Sequence, residues 1–162
     1  MRVLVFSDSH AGLSFMRSAV KSFKPDGLIH LGDYYDDGET IAFENAHIPM
    51  YYVPGNCDKY RVFGKPETLC LPVFGALLYM THGHNHGVKY NDAKLLKDAR
   101  EMGAQAALYG HTHSPVCRRE KDGLWVINPG SCGSYSGSAA LVEIEEGKII
   151  DCRIITSDSL TW

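Results

Sequence analysis

Val3-Leu4-Val5-Phe6-Ser7-Asp8-Ser9-His10 decides the fold. A short apolar run ends on a carboxylate and an imidazole two residues apart, and the same arrangement returns four more times. Leu28 to Leu31 precedes Asp33, Met50 to Val53 precedes Asn56, Leu77 to Met80 precedes His82, and Ala106 to Tyr109 precedes His111 and His113. Read as neighbouring strands, these runs deliver two carboxylates, one carboxamide and four imidazoles to one pocket at their carboxyl ends, where open α/β sheets place their sites. A single Asp-x-His or His-x-His is more often a surface turn or a hydrogen-bonded core histidine. Five coincidences of strand end and ligand type point instead to a set for two metal ions.

Between the runs the pattern alternates. Phe15, Met16, Ala19, Val20 and Phe23 recur at helical spacing over Leu13 to Phe23, and Lys24-Pro25 stops them. Gly27 to Leu31 reads as a strand, Tyr34 to Glu39 as an acidic, Tyr-rich loop at the pocket rim, and Thr40 to Asn45 as a short helix. Strand character returns at Met50 to Val53. Glu67 to Leu71 and Ala76 to Met80 flank a hairpin turn at Pro72-Val73-Phe74-Gly75. A helix is predicted over Asn91 to Met102, capped by Asn91 or Asp92 and closed by Gly103. Strands follow at 106–109, 116–119, 124–127, 139–144 and 149–155, with hairpin turns at Lys121-Asp122-Gly123 and Glu145 to Lys148. An alternating first half and an antiparallel second half imply two sheets, and the pattern alone gives α/β with an antiparallel extension.

Composition excludes several classes. The 162 residues fit one domain, 1–162, and carry a formal net charge of −3 with the two signs interspersed. No positive stripe is available to neutralise nucleic-acid phosphates. Five cysteines (Cys57, Cys70, Cys117, Cys132, Cys152) without a C-x-x-C pair read as reduced thiols rather than a disulfide framework or a zinc knuckle. The chain opens directly on a strand, and its apolar runs are far shorter than the ~20 residues of a membrane helix. A cytoplasmic protein is expected.

The order D-x-H, G-D, G-N-[HC]-[DE], a lone His and G-H-x-H resembles that of the calcineurin-like metallophosphoesterases. It stands here as Asp8-Ser9-His10, Gly32-Asp33, Gly55-Asn56-Cys57-Asp58, His82-Gly83 and Gly110-His111-Thr112-His113. The Asn128-Pro129-Gly130-Ser131 turn extends the likeness to the short bacterial and archaeal phosphodiesterase branch. The resemblance implies a four-layer αββα sandwich with two mixed β-sheets face to face. It implies Asp8, His10 and His113 on one metal, Asn56, His82 and His111 on the other, and Asp33 bridging them. Oxygen and imidazole ligands together favour Mn, Zn, Fe, Ni or Co over Ca or Mg, and family habit puts manganese first. Two such ions lower the pKa of a bridging water from 15.7 towards roughly 7, and the resulting hydroxide is the expected nucleophile on phosphorus. The implied substrate is a small organic phosphoester, a diester in preference to a monoester. Close relatives also often self-associate.

Larger phosphatases of the family often place His after Gly-Asn to protonate the leaving oxygen, whereas this chain has Cys57 followed by Asp58. A thiol donates weakly, so alkoxide leaving groups should depart slowly. Asn56, Cys57, Asp58 and His84 are the candidate catalytic residues, His84 as a phosphate contact or as a residue that orients a ligand. His86, His30 and His47 read as structural. Asp36 or Asp37 reads either as a rim group that disfavours polyanions or as part of a solvated turn, and Arg118 and Arg119 either as steering an anion or as exposed surface. Gly133-Ser134-Tyr135-Ser136-Gly137 is a flexible loop and not a nucleophile elbow, because Tyr holds the central place. Two other functions fit the same residues: a binding scaffold like the retromer subunit, or a metal-binding regulator or store. The filled set of seven ligand positions distinguishes the enzyme from the scaffold.

Overall fold

The computed structural model describes residues 1–58, 62–133 and 137–160. In chain order the elements are β1 (Arg2–Phe6), α1 (Leu13–Phe23), β2 (Gly27–His30), α2 (Tyr35–Glu44), β3 (Met50–Tyr52), β4 (Thr68–Val73), β5 (Ala76–Thr81), α3 (Ala93–Glu101), β6 (Ala106–Leu108), β7 (Val116–Arg119), β8 (Trp125–Asn128), β9 (Ser138–Glu145) and β10 (Lys148–Thr156). They build two mixed sheets, ordered β10-β9-β1-β2-β3 and β4-β5-β6-β8-β7. β1, β2 and β3 run parallel, as do β5, β6 and β8. β9 and β10 extend the first sheet antiparallel, and β4 and β7 flank the second in the same sense.

Two-residue alternation assigns the layers. On β1, Val3 and Val5 point inward and pack with Leu78, Met80, Leu108 and Ile127 of the second sheet. Leu4 and Phe6 point the other way, onto Phe15, Met16, Ala19 and Val20 of α1 and Ile41 of α2. The second sheet turns Tyr79, Ala107 and Val126 outward to meet Leu95, Leu96 and Ala99 of α3. The interiors of β1, β2, β5, β6 and β8 are thus covered on both faces, which is why these runs are apolar throughout rather than alternating. The result is helix, sheet, sheet, helix. Both sets of parallel strands end at the same rim, so the pocket draws ligands from two sheets and not from neighbours in one.

Four sequence readings change. The acidic segment 34–39 is not a loop: Tyr34 takes a left-handed φ of 70° and the chain enters α2 at Tyr35. Asp36 and Asp37 fall in its first turn, where a helix favours negative charge, and its buried face is Tyr35, Asp37, Gly38 and Ile41, too polar to show as an apolar stripe. Pro72 belongs to β4, on the free edge of its sheet, and the turn contracts to Phe74-Gly75, both at positive φ. α3 begins at Ala93, whose amide is received by the Asn91 carboxamide. Lastly, not all five cysteines are free. Cys117 on β7 and Cys152 on β10, edge strands of different sheets, are joined as a disulfide with Cα atoms 6.2 Å apart. Sequence spacing could not show this, because the pairing depends on how the sheets stack. Of the Gly133 to Gly137 loop, positions 134–136 lie outside the described residues. Among the described residues no helix is long and apolar enough to cross a membrane.

His30, wholly buried in β2, gives the fold a pH dependence. Burial pushes its pKa from 6.5 down to about 4, so the native state keeps the ring neutral while the unfolded chain takes up a proton below pH 6.5. The unfolded state binds more protons in this window, so stability falls as pH drops through it, by about 3 kcal/mol from this residue. Urea titrations across this range should show the loss, and His30→Gln should flatten it.

Candidate metal centre

The turn after β1 is held in an unusual backbone. Asp8, His10 and Ala11 have φ of 53°, 43° and 65°, left-handed values that cost each non-glycine residue on the order of 1 kcal/mol. Hydrogen bonds hold them there. The Asp8 carbonyl accepts from the Ser131 hydroxyl at 2.8 Å and the Gly133 amide at 3.3 Å. The Ser9 hydroxyl and the Ala11 amide both donate to Asp37 Oδ2, at 2.7 and 2.8 Å. Asp8 Oδ2 in turn accepts from the Ser7 hydroxyl and the His111 amide. This leaves Oδ1 facing the histidines, 3.0 Å from His113 Nε2. Two glycines of the motifs are close-approach positions: a Cβ on Gly110 would strike Ser7 Oγ, and one on Gly55 would strike the Asp33 carboxylate.

The central observation concerns His82. Its Nδ1 lies 2.7 Å from the Leu31 carbonyl, which can only accept, so the ring hydrogen sits on Nδ1. In the neutral ring Nε2 is then the lone pair, wholly buried and without a hydrogen-bond partner. It faces two more acceptors, Asp33 Oδ1 at 3.5 Å and Asp8 Oδ1 at 3.9 Å. Three electron-rich atoms converging with no hydrogen between them fit a cation. Asn56 Oδ1 is a further buried oxygen with no partner. The carboxylate and imidazole atoms form two groups whose members lie within 4.8 Å of one another, Asp8 with His10 and His113, and Asp8 with Asp33 and His82. Asp8, rather than Asp33, is the carboxylate common to both.

Electrostatics keep these groups in ligand form. Burial, with His82 beside it, brings the His111 pKa down to about 4, so the ring is neutral at physiological pH. Burial works to raise Asp33, but hydrogen bonding from Cys57, whose amide donates to Oδ1 at 2.9 Å, helps hold it below the usual carboxylate value. His82, His84 and His111 cluster, with ring centroids 5.1 Å (82–111), 5.5 Å (82–84) and 6.1 Å (84–111) apart. His10 sits 5.5 Å from His113 and edge-on to Tyr34. Next to the ligands a cleft of about 300 Å³ is lined by His10, Tyr34, Asp36, Cys57 and Asp58.

The remaining candidates separate by contact. Cys57 is exposed at the cleft, and desolvation with the adjacent Asp33 pushes its thiol up to about 11. Asp58 is buried and accepts three backbone amides, Tyr34 and Tyr35 on Oδ1 and Gly55 on Oδ2, tying the Asp33 loop to the Asn56 loop. His86 points away, between the Tyr79 hydroxyl at 3.0 Å and Asp98 at 3.3 Å. Arg118 pairs with Asp92 and Glu120, and Arg119 lies over Trp125, so neither faces the cleft. Asp37 is not on the rim but behind the ligands. Asn128 is likewise a holder, donating to the Gly110 carbonyl and the Thr112 hydroxyl. Asp37 and Asn128 gave no sequence signal as holders, because their partners come from distant turns.

Residues 1–147 match the Calcineurin-like phosphoesterase superfamily domain, and the chain belongs to that family. It is 35% identical over 136 residues to a probable metallophosphoesterase of Bacillus subtilis, covering 81% of this chain and 75% of the relative. A phosphodiesterase of Methanocaldococcus jannaschii is 28% identical over 151 residues, 83% of this chain and 86% of that one. Among solved structures, a conserved uncharacterized protein and predicted phosphoesterase of Streptococcus pneumoniae superposes with a TM-score of 0.78 at 27% identity, covering 99% and 92% of the two chains. Vps29 of Entamoeba histolytica complexed with zinc shares the fold at a TM-score of 0.69 and 19% identity, over 96% and 99%. The family implies divalent metals, and the donor set found here suits them.

Asp58→Ala would leave three amides without an acceptor in a buried place. It should lower the unfolding free energy by roughly 2–4 kcal/mol in denaturant titrations.

Proposed function

We propose that this chain is a metal-dependent phosphodiesterase acting on a small organic phosphoester. The observation that carries this reading is the lone pair of His82 Nε2 turned on the carboxylates of Asp8 and Asp33. In this reading Asp8, His10 and His113 would hold one divalent ion and Asn56, His82 and His111 the other, with Asp33 a further carboxylate for them and manganese the first choice. Bound there, two such ions supply an acidified water at neutral pH and positive charge to match a phosphate. The chain's own residues do the rest. His111 arrives neutral and so needs no deprotonation to ligate. Asn56 offers oxygen to a cation while its amide hydrogens remain for a phosphate oxygen. His84, grouped with His82 and His111, contacts the phosphate, and Asp58 fixes the two loops that present Asp33 and Asn56.

The diester preference rests on Cys57. A thiol pushed up to about 11 is a poor acid, so the leaving oxygen departs readily only when it is itself a stable anion. Residues 1–162 act as one domain. We assign the protein to the cytoplasm, whose reducing conditions would act against the Cys117–Cys152 disulfide. A scaffold of the Vps29 kind shares the fold; the seven ligand-type residues beside a cleft support the enzyme reading over it.

Asp33→Asn should abolish metal-dependent hydrolysis of an aryl phosphodiester while leaving the circular dichroism unchanged; retained turnover would refute the two-metal assignment. Stoichiometric metal uptake without cleavage of any diester or monoester in a broad panel would favour the scaffold or store. Cys57→His should raise the ratio of monoester to diester turnover, and an unchanged ratio would remove the thiol from the explanation of specificity.

A further inference from the structure

Behind the ligand loops runs a buried polar chain whose direction can be worked out. His30 Nδ1 accepts the Gly32 amide at 3.2 Å, so the ring hydrogen is on Nε2, and Nε2 lies 3.1 Å from Ser9 Oγ. With one lone pair of Ser9 taken, its hydroxyl hydrogen goes to Asp37 Oδ2 at 2.7 Å, with the Asp33 carbonyl a longer alternative at 3.4 Å. Asp37 Oδ2 also takes the Ala11 amide at 2.8 Å. Ser9 and His30 are wholly buried and Asp37 is 8% exposed, so water does not compete for these groups. Each hydrogen in the chain thus has a preferred acceptor.

The ends of the chain lie where the ligands are. Ser9 stands between Asp8 and His10, Ala11 follows His10, and Gly32 precedes Asp33. Three of the residues beside or within this chain, Asp8, His10 and Ala11, are in the left-handed region and would relax without a restraint. We propose that Asp37, Ser9 and His30 form an orienting relay that locks the Asp8–His10 turn to the Gly32–Asp33 turn and so sets the metal affinity of the centre. Asp37 and Ser9 are positioning residues, touching no metal and no substrate. The inference rests on the reading that Asp8, His10 and Asp33 are metal ligands.

Calorimetric titration of metal-stripped full-length protein with manganese(II) tests it. Asp37→Ala and Ser9→Ala should each weaken binding by about 10–100-fold, the effect typical of removing a partner that orients a ligand. Because both break one chain, the double variant should fall within roughly threefold of the weaker single one. Asp37→Asn keeps an oxygen that accepts both hydrogens and should restore most of the affinity. Binding by Asp37→Ala within about twofold of the unaltered protein, or single losses that multiply in the double variant, would overturn the relay. Amide hydrogen exchange gives a second readout that needs no metal. Ser9→Ala should speed exchange at Ala11 and Gly32 by about tenfold or more, and unchanged protection there would also overturn it. Failure of the unaltered protein to bind manganese would instead refute the metal reading, leaving the relay to be judged by exchange alone.

Discussion

Two carboxylates buried against the lone pair of one imidazole are the constraint on which this molecule turns. Asp8 and Asp33 come from one sheet and His82 from the other, so their repulsion acts across the sandwich at the rim where the parallel strands end. Such an arrangement is unfavourable in isolation and strongly favourable around a cation. The polar loops beneath the rim exist to keep it assembled.

That explains where the hydrogen bonds are spent. Asp58 collects three amides from two loops, Asn128 braces the Gly110 turn, and Ser131 and Asp37 hold the strained backbone at Asp8 to Ala11. The side chains facing the cleft are few by comparison. The geometry of the donor set is chiefly a matter of backbone held in place from behind.

Much of this was legible in the sequence, and what was not has a physical reason. The apolar runs announced their strands because they are covered on both faces, and the ligand types stood out because they follow those runs directly. The family pattern supplied the sandwich, which contact between Val3, Val5 and the second sheet bears out. Only the second half of α2 reads as helix, over Thr40 to Asn45, because the buried face of its first turns includes Asp37 and Gly38, residues that read as loop. Asp37 and Asn128 were not read as holders, and Cys117 was not paired with Cys152, for one reason: their partners are set by tertiary packing, on which a single sequence is silent.

The division of donors between the two sheets links occupancy to cohesion. If the rim holds a cation as proposed, that ion would close the sandwich at one end, and ligand binding of this sort would add to folding free energy as RT ln(1 + [L]/Kd). The lifetime of the polypeptide would then follow the supply of its metal: starvation for the ion would loosen the seam between the layers and expose the chain to proteolysis.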